Sequence, residues 1–223
     1  ALHCAAHDRS PIYSNREMVD LYGQVIDDEE APDPVKSRAE GLRSAYTASG
    51  DAAKVAAMSS LWTGAAAGAD YHGALVMTAR AAALIRPDEA HAGAADQLIA
   101  SMLTAGLDRN AAAWSGIVDE GSLGWALLAL GTPTNIAAVD SGALGDFYGN
   151  DNSEKAHKSA LLLAGLAGLG RVDAGAQSDF GRDLEVNVTR QTPWSRAITA
   201  AAERGEQGTV ALMAVAGMQA PNW

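Results

Sequence analysis

The chain has 223 residues, a formal charge of −11 and a single cysteine, Cys4. So acidic a surface repels phosphate, which argues against binding through a nucleic-acid backbone or docking on anionic lipid. One cysteine excludes an internal disulfide framework and a thiolate metal cluster within one chain. The length suffices either for one buried core or for a run of stacked repeats. Alanine supplies roughly a fifth of the residues, far above ordinary usage, while aromatic residues are scarce. Alanine is the best helix former, so the class expected is all-α. Ala160 to Leu169, the longest apolar run, is interrupted by Gly165 and Gly168 and is too short to span a bilayer, which takes about twenty residues.

Asn15 to Ile26 reads as the first full helix, with Met18, Leu21, Tyr22 and Val25 on one face. Asp27 to Pro34 is an acidic loop, and Pro34 suits the first turn of a helix reaching about Ala48, where a missing N–H costs nothing. Ala52 to Trp62 follows, then a break over Gly64 to Gly68 and a helix from Ala69 to Ile85. Asp88 to Leu107 carries the clearest stripe: Ala95, Leu98, Ile99, Met102, Leu103 and Gly106 repeat at three-and-four spacing. Asn110 to Val118 and Ser122 to Leu130 form a tight pair about Asp119-Glu120-Gly121. Gly131 to Asn152 is the most irregular stretch, with one short helix near Ile136 to Val139. Ser153 to Leu169 is strongly helical. Arg171 to Gln191 is ambiguous, and Leu184 to Val188 alternates as a strand would. Thr192-Pro193 reads as an N-cap and first helical residue, opening a last pair over Trp194 to Arg204 and Glu206 to Met218. Trp62, Trp114, Trp125 and Trp194 are placed to fill gaps between alanine-rich layers.

One phrase occurs twice. Gly50-Asp51, three residues, Val55-Ala56, one residue and Met58 is echoed by Gly205-Glu206, three residues, Val210-Ala211, one residue and Met213. A glycine closing one helix and a carboxylate opening the next is the punctuation of a helical hairpin. On these residues the chain resembles α-hairpin repeat proteins of the tetratricopeptide-like kind, although it lacks their Trp-x-x-Leu-Gly-x-x-Tyr signature and regular period of about 34 residues. The resemblance implies antiparallel helix hairpins stacked as an irregular α-solenoid, and a scaffold or protein-binding role. We expect about 10–12 short helices at hairpin spacing, in one domain over residues 1–223. Both ends read as cut, so the chain is expected to be a segment of a longer array or to pack its ends on a partner.

Candidates for chemistry are few. Asp88-x-x-His91 and Glu154-x-x-His157 would each place an acid and a histidine on one helical face, the spacing of carboxylate-bridged metal bundles. Acids also settle in first turns simply because the helix dipole favours them. His3 and His7 lie one helical turn apart with Cys4 between. No metal and no cofactor are expected; His3, His7, Asp88, His91, Glu154 and His157 are the residues that would ligate a metal. Asp179-Phe180-Gly181 has the letters of a kinase magnesium triplet, but no glycine-rich loop or catalytic loop accompanies it. No phosphate loop, dinucleotide fingerprint or nucleophile elbow occurs.

Loops between helices are where an array binds. Ser141 to Asn152 is the leading candidate, through Asp146, Phe147, Tyr148, Asn150 and Asp151, with Trp223 as an exposed aromatic at the end. The reading is therefore a non-enzymatic helical scaffold that binds a protein or peptide, or the continuation of its own array. The alternatives are a helical accessory domain of a larger bacterial cell-envelope enzyme and an all-α metalloprotein or enzyme. The expectation is a soluble protein of the bacterial cytoplasm or periplasm.

Overall fold

The computed structural model describes residues 15–132, 139–184, 193–206 and 209. These carry eleven α-helices: α1 (Asn15–Ile26), α2 (Asp33–Thr47), α3 (Asp51–Thr63), α4 (Ala69–Ala82), α5 (Ala95–Thr104), α6 (Asp108–Ala112), α7 (Leu123–Gly131), α8 (Ser141–Gly149), α9 (His157–Gly168), α10 (Ala174–Asp183) and α11 (Pro193–Glu203). The described residues form no strand, only a single parallel bridge between Val139 and Val172. The helices pack chiefly on their sequence neighbours. The chain is an all-α array, as its alanine content and spacing predict.

Two compact units divide it, residues 1–134 and 135–223. The sequence, whose composition shifts nowhere abruptly, reads as one domain; the division falls inside the stretch from Gly131 to Asn152 that it marks as most irregular.

In the first unit the main core gathers Met58 and Trp62 of α3, Leu75 of α4, Leu98, Ile99 and Met102 of α5, and Trp114. A second cluster joins Tyr22 and Val25 of α1 to Ala39 and Leu42 of α2 and Met77 of α4. A buried polar chain ties the middle helices together. Trp62 Nε1 donates to Thr78 Oγ1 at 2.9 Å, Thr78 Oγ1 donates to the Ala74 carbonyl at 2.8 Å, and Ser101 Oγ donates to the Leu75 carbonyl at 2.6 Å. The two hydroxyls lie 3.0 Å apart. Each polar atom that α3, α4 and α5 bury here therefore has a partner, as burial requires.

Helices α5 and α7 meet more closely than side chains would allow. The Gly124 N–H donates to Asp96 Oδ1 at 2.7 Å, and a Cβ on Gly124 would lie 2.7 Å from that oxygen and 2.8 Å from Val118 Cγ1. Ser122 Oγ takes the Trp125 N–H at 3.1 Å, so two side chains satisfy donors that the start of α7 would otherwise leave unpaired.

The second unit buries Ala143, Leu144 and Phe147 of α8, Leu162, Leu163 and Leu166 of α9, and Ala176 of α10. The Arg171 N–H donates to the Leu166 carbonyl at 2.8 Å, which closes α9.

Local readings and structure part at four places. Asp88 to Leu107 is not one α-helix: Glu89–Ala94 is 3-10, started by Asp88, whose side chain accepts from the Ala90 N–H, and only Ala95–Thr104 is α. Asn110 to Val118 shortens to α6 followed by turns. Ser153 to Leu169 begins with a 3-10 turn at Glu154–Ala156, in which Lys155 (φ 52°) and Ala156 (φ 50°) adopt left-handed backbone. Ser141–Gly149, expected to be loop, is helical: Asp140 accepts from the Ala143 N–H at 3.0 Å and Ala143, Leu144 and Phe147 are buried. Three glycines in nine residues hide that helix from propensity, and burial of one face overrides them. Of Ile136 to Val139 and Leu184 to Val188 the described residues retain only Val139, in the bridge, and Leu184, the C-cap of α10. Thr192 and most of Glu206 to Met218 also lie outside the described residues.

Candidate functional site

Asp88 and His91 do not share an α-helical face. Asp88 Oδ1 is occupied by the Ala90 N–H at 2.8 Å, and His91 sits within the 3-10 turn that follows. Glu154 and His157 are both exposed, on either side of the left-handed pair Lys155-Ala156. Among the described residues no group of three or more His, Cys, Asp or Glu lies placed to hold a metal ion. His3, Cys4, His7 and Trp223 fall outside the described residues. The triplet Asp179-Phe180-Gly181 is embedded in α10, where Asp179 pairs with Arg182 at 3.3 Å on the surface.

The candidates of the α8 region separate into different roles. Phe147 is buried, Tyr148 is 40% exposed, and Asp146 and Asn150 are exposed. Asp151 is the hub of the segment. Its Oδ1 takes the N–H and hydroxyl of Ser153, and its Oδ2 takes the Ser159 N–H at 2.8 Å and the Ser159 hydroxyl at 2.7 Å. Burial would raise its pKa, but the four hydrogen bonds from Ser153 and Ser159 outweigh that and hold the carboxyl well below the usual range. This carboxylate clamps the chain after α8 to the first turn of α9. It is spoken for by the fold.

A hollow also lies between two helices of the first unit. Helices α1 and α2 leave a groove of about 350 Å³ between them, at the small end of the range of roughly 300–1,000 Å³ common for ligand sites. Its lining includes Ala39 and Leu42, each 1% exposed, and half-buried Val19 and Ile26. On α1 the lining residues Val19, Tyr22, Gly23 and Ile26 follow three-and-four spacing, and on α2 so do Ala39, Leu42, Arg43 and Tyr46. The groove is thus made where two helical stripes meet. The Tyr46 hydroxyl donates to the Met77 carbonyl at 2.9 Å. Tyr22, 6% exposed, also lines the groove, and its hydroxyl has no hydrogen-bond partner among the described residues. Arg43 is exposed and forms no ion pair there.

Sequence reasoning assigned Tyr22 to a core face and gave Arg43 no role. The available signal was Gly23, an α1 residue beside an apolar stripe that leaves room where a side chain would stand. A Cβ on it would meet nothing within 4 Å. Compared with family models, curated proteins and solved structures, the chain matches none.

Proposed function

We propose that this chain is a helical scaffold that holds a protein or peptide partner on the surface of its hairpins. One observation carries the reading: several aspartates are engaged by backbone N–H groups. Asp88, Asp96, Asp140, Asp151 and Asp173 each accept from the start of a helix or turn, which is the work of helix capping. Some apolar side chains also reach the surface, with Leu84 beyond the end of α4 at 60% exposure, Leu161 of α9 at 44% and Leu169 at the C-cap of α9 at 43%. Helix surfaces of that kind recognise peptides through shape and apolar anchors.

Selection of a random peptide library on the full chain tests the proposal. The expected result is a set of sequences that converge on a shared apolar pattern and bind saturably. A library that yields no converging sequence contradicts it.

A further inference from the structure

We draw no further inference here: the strongest candidate, the outward face of α9 formed by Leu161, Ala164 and Gly168 and continued by Leu169 at its C-cap, is an unpartnered apolar face, and nothing in the structure shows what covers it.

Discussion

Thr78 shows how much rests on single polar atoms in an alanine-rich core. Its hydroxyl receives the Trp62 indole N–H and lies 3.0 Å from the Ser101 hydroxyl, so it links three helices at a site with no exposure. Thr78→Val keeps the shape and strands the indole donor, and it should cost about 1–3 kcal/mol. Thr78→Ser keeps the hydroxyl and should cost clearly less, as urea unfolding followed by circular dichroism would show. Asp151 carries a pH dependence of known sign. Its folded pKa is depressed by the hydrogen bonds from Ser153 and Ser159. Its stabilisation is therefore complete above the unfolded carboxylate value of about 4 and drains away as the pH falls below it. Asp151→Asn should remove that part of the acid sensitivity, so the loss of thermal stability between neutral and acid pH should be smaller in the variant. A melting temperature that falls just as steeply in Asp151→Asn would refute the assignment.

At the scale of elements, the repeated phrase conceals two different devices. Gly50 is the N-cap of α3 with φ 85° and ψ 151°, a region open to glycine almost alone. Gly205 has φ 72° and follows α11; its N–H donates to the Ala202 carbonyl at 2.9 Å and the Glu206 N–H to the Ala201 carbonyl at 2.9 Å, the closure that ends many helices on a left-handed residue. Neither glycine has a neighbour that a Cβ would strike, so substitution costs conformation and not space. Gly50→Ala should lose about 2–3 kcal/mol and Gly205→Ala about 1 kcal/mol; equal losses in urea unfolding would contradict the distinction. The sequence made α1, α2 and α3 legible because the spacing of Met18, Leu21, Tyr22 and Val25, the proline at 34 and the Gly50-Asp51 break act locally. It misread Glu89–Ala94 as α-helix and Ser141–Gly149 as loop. In the first, a capped 3-10 turn wears helical residues. In the second, burial of Phe147 organises a glycine-rich stretch that propensity alone would leave unstructured.

Over the whole molecule, the pattern of helices was readable and the surface was not. The contact of Asp96 with Gly124 spans 28 residues, and the groove depends on how the stripes of α1 and α2 meet, so neither is written in any local run of letters. Asp88, His91, Glu154 and His157 attracted attention by spacing, which assumes a continuous helix that the 3-10 turns interrupt. No helix among the described residues is long and apolar enough to cross a membrane. On the proposed scaffold reading, the capping aspartates serve the fold and the outer faces of the helices hold the partner. Hydrogen exchange of the full chain, alone and saturated with a library-selected peptide, tests that most directly. The account predicts slowed exchange along a contiguous face of neighbouring helices. Unchanged exchange with every selected peptide would contradict it.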